Sequence, residues 1–427
     1  MKQISRRAAA LLLLALLIVC GCLLYVLRYV EHGQDWAAAY ARENAGASGA
    51  IIDRNGLVLA SFSPGESLFQ PDRELRIANY HVTGDYYGRT GTGLLTGYQD
   101  FSLLTGSAYA GNAVLYLNTD AELNRRAYQV LDGRPGAVLI MDYRSGAILC
   151  MVSTPAIDPL EADPQPGEGA YINRCLSAAF VPGSVFKLVT AAAAIESFPD
   201  LSERRFFCEG SVEIAGVTIR CSGCHGEQTF EQALSNSCNV AFAQLAVELG
   251  HETMLRSVRR YGFLDPQRLD GIPTAAGSFP QEFAGEPELG WAGVGQSTVL
   301  VCPFSLLRFV AAVANDGELA EPRLIRDGSL GSSSRFMKTD TARQLQRLMH
   351  YNVVNGYGED RFPGLRLCAK TGTAERDGGS SNAWFVGFLA DQEHPYAFVV
   401  MIEGGGSGLL AAGSAANEIL QYAVNGE

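Results

Sequence analysis

The sequence predicts an α/β fold of the α+β kind, in which helices flank one antiparallel sheet. A single N-terminal transmembrane helix and a small β-rich pedestal are predicted to precede it. Apolar hairpin patterns occur toward both ends of the chain, at 137–152 and 383–402, and helical periodicity fills the middle. Because a hairpin must bury its apolar face against another layer, we expect the distant hairpins to share one sheet packed against the helices.

The composition excludes two broad classes of protein. The chain has 427 residues, of which 47% are hydrophobic and 18% charged, and this suits folded domains rather than a disordered protein. The net charge of −12 and the lack of a basic patch give nucleic-acid binding no electrostatic support.

Only four of the 33 basic residues are lysine: Lys2, Lys187, Lys338 and Lys370. Lysine, unlike arginine, can give up its proton when buried, so each retained lysine is a candidate for proton chemistry.

Residues 8–29 are predicted to form the transmembrane helix. The uncharged run Ala8–Leu27 would span about 30 Å as a helix, which is the thickness of a bilayer's apolar core. Basic residues precede the run, so the positive-inside rule predicts residues 1–7 as a cytoplasmic tail and the remainder as extracytoplasmic, at the plasma membrane. The alternatives are a cleaved signal peptide and a lipoprotein signal ending at Cys22. The length of the run, and its continuation past Cys22, favour a retained anchor.

Residues 30–111 are predicted to be the pedestal, and residues 112–427 the catalytic domain. Within the pedestal, Gly49–Ala60 indicates two short strands joined by the Asn55-Gly56 turn. In the catalytic domain, strands at 137–142 and 147–152 form one hairpin, and strands at 383–389 and 396–402 form another. The predicted helices are Thr119–Leu131, Ser184–Glu196, Phe230–Leu249, Glu252–Tyr261, Cys302–Asn315, Thr339–Val353 and Asn417–Val424.

The first chemical motif is Ser184-Val-Phe-Lys187, which follows Pro182-Gly183. We expect Ser184 to open a helix, where its own backbone N–H is free and residue i+3 lies alongside. A buried or crowded lysine there would have a lowered pKa and could accept the serine proton, which would make Ser184 a nucleophile. The alternative is a helix-capping serine beside a surface lysine, and the motif alone is too short to decide.

Two further motifs gain meaning from the first. Ser237-Cys238-Asn239 follows the helical Phe230–Leu234, and its serine and asparagine are expected to project from a loop in roughly the same direction. They could supply a hydroxyl for proton relay and an amide that orients a carbonyl, although capping and turn roles are commoner for these residues. Lys370-Thr371-Gly372-Thr373 follows an apolar strand. Gly372 would let a substrate lie against that strand, and Lys370 and Thr371 could hold a carboxylate. The alternative is an ordinary edge strand with a protective lysine.

Taken together in this order, the three motifs are typical of penicillin-binding proteins and the related β-lactamases. The chain resembles the class B (monofunctional) penicillin-binding proteins along nearly its whole length, which implies the penicillin-binding, serine transpeptidase fold. Further segments that carry the resemblance are Asp53–Gly56, Gly133–Val138, Asn173-Arg174, Gly295-Gln296, Ala314–Gly317 and Ala383–Gly387. Cys238 and Cys302 depart from the family pattern, and neither is expected to touch the reacting atoms.

The resemblance implies a D,D-transpeptidase that cross-links peptidoglycan stem peptides and is acylated by β-lactams. Lys187 would activate Ser184, and Ser237 would relay a proton beside Asn239. The backbone N–H groups of Ser184 and Thr373 would form the oxyanion hole. Lys370, Thr371, Gly372 and Thr373 would bind the substrate carboxylate. No metal or organic cofactor is implied for catalysis. The implied partners are the cell membrane and a polytopic glycosyltransferase of the shape–elongation–division–sporulation (SEDS) type.

Other functions share some of these features. A D,D-carboxypeptidase or a β-lactamase-like hydrolase would use the same motifs, but a β-lactamase is usually shorter and secreted. A sensor-transducer would need more membrane spans or a cytoplasmic output domain, and a bifunctional class A enzyme would need a glycosyltransferase domain before the motifs. A non-catalytic regulator of a membrane glycosyltransferase is the remaining alternative. The motifs do not distinguish a role in cell shape from one in cell division or sporulation.

The cysteines form a separate pattern. Cys208, Cys221, Cys224 and His225 lie within 18 residues of one another. Outside the membrane, a disulfide from Cys208 to Cys221 or to Cys224 is plausible across the predicted hairpin Glu213–Thr218. Free thiols are the second alternative. A zinc site is the third, because Cys-x-x-Cys-His has suitable ligand types, although these ligands are crowded in sequence.

Overall fold

The computed structural model describes residue 11 and residues 13–28, 49–63, 66–85, 87–97, 113–282, 284–326, 331–375 and 379–426. The strands of the first half are β1 (Gly49–Ile52), β2 (Val58–Ser63), β3 (Glu66–Phe69), β4 (Ala113–Tyr116), β5 (Gly136–Asp142), β6 (Ile148–Thr154), β7 (Arg205–Cys208) and β8 (Ser211–Ile214). Those of the second half are β9 (Val217–Arg220), β10 (Gly226–Thr229), β11 (Arg268–Leu269), β12 (Ile272–Pro273), β13 (Glu318–Ala320), β14 (Ser333–Arg335), β15 (Leu367–Glu375), β16 (Ser381–Leu389) and β17 (Tyr396–Ile402).

The α-helices after residue 49 lie mainly between β6 and β15. They are α1 (Arg73–Ala78), α2 (Tyr80–Thr83), α3 (Leu94–Gly97), α4 (Ala121–Leu131), α5 (Lys187–Ser197), α6 (Phe230–Ser235), α7 (Asn239–Leu249), α8 (His251–Arg260), α9 (Glu286–Gly293), α10 (Pro303–Ala314), α11 (Thr339–Tyr351) and α12 (Ser414–Asn425). Short 3₁₀ turns occur at Gly183–Phe186 and Glu359–Arg361, and π turns at Asn352–Tyr357 and Gly408–Gly413.

The N-terminal segment is described only in part. Residues 13–28 are helical, whereas residues 8–10, 12 and 29 of the predicted span lie outside the described residues, as do residues 1–7 and 30–48. Among the described residues, no helix has both the length and the apolar character needed to cross a membrane.

The predicted hairpin of the pedestal is confirmed. β1 and β2 pair antiparallel, and Gly56 between them has φ 90°, a left-handed conformation that glycine adopts without strain. β3 adds to β2, and β4 pairs in parallel with β1, which gives the strand order β3-β2-β1-β4. Although β4 comes after residue 111 in sequence, it completes the pedestal sheet.

The central sheet joins both ends of the described fold, as predicted. Its five strands are all antiparallel and have the order β15-β16-β17-β5-β6. The two predicted hairpins meet where β17 pairs with β5, from Tyr396 opposite Asp142 to Ile402 opposite Gly136. Apolar residues of β5 alternate between two cores: one contains residues of α5, α7 and α10, and the other contains residues of α4 and α12. Helices therefore cover both faces, and β15 is left at an edge.

The predicted helices are confirmed, except that one of them is divided and that the first turn of the predicted helix Ser184–Glu196 is 3₁₀. Phe230–Leu249, expected as one helix, is divided into α6 and α7. The break lies at Ser237, whose φ of 52° is left-handed and cannot continue an α-helix. The prediction of a continuous helix is therefore wrong, because this residue adopts a conformation that the apolar periodicity does not reveal. The break places Ser237 on a turn and Asn239 at the start of α7, and both contact Lys187 of α5.

A buried carboxylate connects the β1–β2 hairpin to helix α4. Asp53 is only 1% exposed. Its Oδ1 accepts hydrogen bonds from the backbone N–H groups of Asn55 and Leu57, at 2.9 and 2.8 Å. Its Oδ2 accepts from the N–H of Ala121, at the start of α4, at 3.1 Å. One side chain therefore closes the hairpin turn and fixes it to a helix that packs on the central sheet.

We expect Asp53→Ala to lower the free energy of unfolding by about 1–3 kcal/mol, because three backbone donors, of which that of Ala121 is buried, lose their acceptor. Thermal and denaturant unfolding of the purified full-length chain would measure the change. Asp265→Ala is the matched control, because Asp265 is exposed and is expected to matter little. Equal stability of the two variants would contradict this account of Asp53.

Candidate active site

Ser184 and Lys187 lie on consecutive turns of the chain. Ser184 is in the 3₁₀ turn Gly183–Phe186, and Lys187 begins α5. The expectation that Ser184 opens an α-helix is corrected in detail, because the first turn is 3₁₀. In a 3₁₀ turn residues i and i+3 eclipse each other, so the two side chains remain adjacent. The Lys187 Nζ lies 2.9 Å from the Ser184 Oγ.

The 3₁₀ turn packs against β15 through two glycines. Gly183 has φ 55°, and a Cβ atom there would lie 2.6 Å from the carbonyl oxygen of Thr373. On the facing strand, a Cβ atom on Gly372 would lie 2.7 Å from the carbonyl oxygen of Pro182. Neither distance is compatible with a side chain unless the backbone moves. The absence of side chains at these two positions therefore lets Ser184 approach the strand closely.

The second motif reaches the same place from the break between α6 and α7. The Lys187 Nζ lies 3.1 Å from the Ser237 Oγ, 2.6 Å from the Ser237 carbonyl oxygen and 2.7 Å from the Asn239 Oδ1. The Asn239 Nδ2 donates to the carbonyl oxygen of Arg220 at 2.9 Å. This second hydrogen bond fixes the orientation of the amide, so that Asn239 presents an acceptor to the lysine.

The surroundings of Lys187 favour its neutral form. The side chain is 0% exposed, and burial lowers the pKa of the amine to about 7. A neutral amine has two N–H donors and one lone pair. The Ser237 carbonyl and the Asn239 Oδ1 can only accept, so they take the two N–H groups. The lone pair is left for a hydroxyl group, and the Ser184 Oγ is the nearest one. This arrangement suits removal of the Ser184 proton.

The third motif brings a second buried lysine to the site. Lys370 lies on β15 and is 0% exposed, so the alternative of a protective surface lysine does not hold. Its Nζ donates to the Ser237 Oγ and to the Thr371 carbonyl oxygen, both at 3.1 Å. Burial, and then the charge of Lys187, lower the pKa of Lys370 well below its ordinary value. The Ser237 hydroxyl therefore lies between two lysine amines.

The outer edge of β15 carries backbone donors. The Thr371 N–H donates to the Tyr357 hydroxyl at 3.0 Å, so it points away from β16. Because a strand repeats every two residues, the Thr373 N–H points toward the same edge. Gly183 contacts Thr373 there, which brings the Ser184 peptide close. Two N–H groups converging on one oxygen would stabilise a negative charge that develops on it.

Three contributors were missed by sequence reasoning. Tyr357, in the π turn after α11, holds Thr371 through its hydroxyl, 3.0 Å from the backbone nitrogen and 3.3 Å from Oγ1. The Gly408 N–H donates to the Thr373 Oγ1 at 3.2 Å. The Trp384 Nε1 donates to the Val181 carbonyl oxygen at 3.1 Å. Each acts through a long-range contact, and only Trp384 lies in a segment that the family resemblance marked.

Comparison with known proteins identifies the family. The sequence model described as the penicillin-binding protein transpeptidase domain matches residues 136–421, a range that includes all three motifs. This chain belongs to that family. The resemblance to monofunctional penicillin-binding proteins that the motifs indicated is therefore confirmed.

Individual relatives are more distant. Stage V sporulation protein D of Bacillus subtilis is 31% identical over 255 residues, which cover 55% of this chain and 39% of that protein. Peptidoglycan D,D-transpeptidase PbpA of Mycobacterium tuberculosis is 28% identical over 338 residues, which cover 68% of this chain and 67% of that protein. A solved structure of penicillin-binding protein A from M. tuberculosis, a ceftriaxone acyl-enzyme complex, has a TM-score of 0.75. It is 20% identical and covers 90% of this chain and 100% of that one. At that identity it shows a shared fold.

We expect Gly372→Ala to lower the free energy of unfolding by about 1–3 kcal/mol, because the new Cβ atom displaces either β15 or the 3₁₀ turn. Chemical denaturation would measure the change. Gly91→Ala is the matched control, since a Cβ atom there meets nothing within 4 Å. If Gly372→Ala were as stable as the control, the close contact between strand and turn would be disproved.

Proposed function

We propose that this chain is a serine D,D-transpeptidase that cross-links peptidoglycan stem peptides through an acyl-enzyme on Ser184. The observation that carries the proposal is the position of the buried Lys187 amine, 2.9 Å from the Ser184 Oγ and 3.1 Å from the Ser237 Oγ. Membership of the penicillin-binding protein family supports it. So do the name of the relative PbpA, peptidoglycan D,D-transpeptidase, and the ceftriaxone acyl-enzyme of penicillin-binding protein A.

The first step forms the acyl-enzyme. The neutral Lys187 amine takes the Ser184 proton, and the Ser184 Oγ attacks the carbonyl carbon between the two terminal D-alanines of a stem peptide. The backbone N–H groups of Ser184 and Thr373 donate to the resulting oxyanion. As the C–N bond breaks, the leaving amine takes a proton from Lys187 through the Ser237 hydroxyl, which lies 3.1 Å from the lysine nitrogen. The terminal D-alanine then departs.

The second step transfers the acyl group. An amine from a neighbouring stem peptide attacks the Ser184 ester, and its proton returns through Ser237 and Lys187 to the serine oxygen. The products are a cross-linked peptide and the free enzyme. The Asn239 Oδ1 accepts a hydrogen bond from the Lys187 amine at 2.7 Å and so holds the lysine in place. Its Nδ2 donates to the Arg220 carbonyl oxygen on the other side. No metal or organic cofactor takes part in either step.

Substrate binding uses the Lys370–Thr373 strand. The terminal carboxylate of the stem peptide, or that of a β-lactam, would accept from Lys370 and from the hydroxyls of Thr371 and Thr373. A bound carboxylate favours the charged form of Lys370, and that charge disfavours a second proton on Lys187. Binding would therefore prepare the base. The substrate backbone would lie along the outer edge of β15 as an added strand, whereas the space beside Gly372 is taken by the 3₁₀ turn.

The proposed setting is the outer side of the plasma membrane. Residues 8–29 would span the membrane, with 1–7 in the cytoplasm, 30–111 as a pedestal and 112–427 as the catalytic domain. Support comes from the uncharged apolar run Ala8–Leu27 and from its length. A polytopic glycosyltransferase of the SEDS type is the proposed partner. It would supply glycan strands to the same site of synthesis, in growth or in division.

Acylation by a labelled penicillin tests the proposal directly. We expect one covalent adduct per chain, located on Ser184 by mass spectrometry of peptides, and no adduct in Ser184→Ala. Ser332→Ala, which alters an exposed serine, should be labelled like the unchanged protein. An adduct at another residue, or none, would refute the assignment. Release of the label within seconds would favour a β-lactamase-like hydrolase.

The pH dependence of acylation tests the role of Lys187. Only the neutral amine can take a proton, and burial lowers its pKa to about 7. The second-order acylation rate constant should therefore rise about tenfold per pH unit below that pKa and level off above it. Stopped-flow labelling across the range would give the profile, with circular dichroism to verify folding. A rate that fell as the pH rose would exclude Lys187 as the base.

A further inference from the structure

Four candidate metal ligands converge behind the turn that carries Ser237. Cys208 ends β7, Cys221 follows β9, His225 precedes β10, and Cys238 is the middle residue of the second motif. Their ligand atoms all lie within 4.8 Å of one another. We refer to these four residues as the Cys3His cluster. It joins the predicted cysteine group to a cysteine from the catalytic motif.

Strand pairing explains how the first three ligands meet. β7 and β10 are antiparallel, with Cys208 opposite Gly226, and the backbone N–H of His225 donates to the Cys208 carbonyl oxygen at 3.0 Å. β8 and β9 form the hairpin predicted between Cys208 and Cys221. At its end, the N–H of Cys221 donates to the Gly210 carbonyl oxygen at 2.8 Å. The hairpin therefore returns Cys221 to the position from which the chain left Cys208.

Cys224 does not belong to the cluster. It is exposed, and its Sγ donates to the Glu209 carbonyl oxygen at 3.1 Å. The cysteines in the described part of the chain are all free thiols, so neither predicted disulfide, from Cys208 to Cys221 or to Cys224, is present. The nearest sulfurs in the cluster, those of Cys221 and Cys238, are 3.9 Å apart, whereas a disulfide needs about 2.05 Å.

Two of the distances between ligand atoms are those of a tetrahedral zinc site. With Zn–S bonds of about 2.3 Å and Zn–N bonds of about 2.0 Å, a tetrahedron places two sulfurs about 3.8 Å apart and a sulfur and a nitrogen about 3.5 Å apart. The Sγ atoms of Cys221 and Cys238 are 3.9 Å apart, and the Cys221 Sγ is 3.6 Å from the His225 Nδ1. Both distances are close to tetrahedral edges.

The protein also supplies hydrogen bonds suited to thiolates. The N–H of Asn239 donates to the Cys221 Sγ at 3.2 Å, and the N–H of Ala241 donates to the Cys238 Sγ at 3.5 Å. Three thiolates and a neutral imidazole around Zn²⁺ carry a net charge of −1. Backbone N–H groups directed at the sulfurs stabilise such a charge, as do the hydrogen bonds that surround metal ligands in other sites.

We propose that the Cys3His cluster binds one structural Zn²⁺ through Cys208, Cys221, Cys238 and the Nδ1 of His225. All four tetrahedral positions are filled by protein, which is typical of structural rather than catalytic zinc. Cys208 and Cys238 are 1% and 0% exposed, respectively. Soft thiolate ligands in this number select zinc over magnesium or calcium.

The zinc also has a consequence for the catalytic turn, and this part rests on the proposed function. Cys238 lies between Ser237 and Asn239, and the Asn239 N–H donates a hydrogen bond to the sulfur of Cys221. A metal bound to both sulfurs would hold Ser237 in its left-handed conformation, φ 52°, and keep Asn239 aligned with Lys187. The zinc is thus a positioning element that does not contact substrate.

Metal analysis of the full-length protein, purified without a polyhistidine tag, tests the binding. We expect close to one zinc per chain by inductively coupled plasma mass spectrometry, and less than about a tenth of that in Cys208→Ser and Cys221→Ser. Cys224→Ser is the matched control and should retain zinc. Cobalt substituted for zinc should give sulfur-to-metal charge-transfer absorption. Absence of zinc from the unchanged protein, with free thiols or a Cys221–Cys238 disulfide instead, would overturn the proposal.

Removal of the metal tests the positioning role. After treatment with a zinc chelator, we expect a lower melting temperature and a penicillin acylation rate at least about tenfold lower, both restored by added Zn²⁺. Unchanged acylation in zinc-free protein would overturn the positioning role alone. The proposed transpeptidase function would fail differently, through a lack of acylation in protein that is fully loaded with zinc.

Discussion

The buried amine of Lys187 is the group on which the rest of the site depends. An isolated ammonium in a protein interior is strongly unfavourable, so the side chain is tolerable there only as a neutral amine or with several acceptors around it. The acceptors come from Ser237, at the break between α6 and α7, and from Asn239, at the start of α7. The same contacts that make burial acceptable also orient the amine toward Ser184. The arrangement that allows Lys187 to be buried is therefore also the one that suits proton transfer from Ser184.

The fold explains why these segments can meet. Pairing of β17 with β5 closes the sheet from the two ends of the catalytic domain and leaves β15 at an edge. The helices from the middle of the chain pack over one face of the sheet. The 3₁₀ turn that carries Ser184 then lies against β15 at the edge. The three motifs meet where two layers join, between a strand edge and the start of a helix. Catalytic groups in this position are held by secondary structure on both sides, which preserves their alignment without a ligand.

Local patterns predicted much of this architecture and less of the site. The buried hairpins and amphipathic helices follow from periodicity, because each pattern reports the burial of its own segment. Ser237 shows the limit: its residue type is compatible with a helix, and only packing against Lys187 and the cysteines explains the break. The contact of Tyr357 with Thr371 and the membership of Cys238 in the Cys3His cluster both depend on residues that are distant in sequence. The motifs indicated which residues belong together, but their distances could only come from the three-dimensional structure.

The glycine contacts between the 3₁₀ turn and β15 also limit which positions of the site can change during evolution. A side chain at Gly183 or Gly372 would collide with the facing backbone and push the turn that carries Ser184 away from β15. Both positions are therefore expected to remain glycine, and substitutions that alter the site are expected at its periphery.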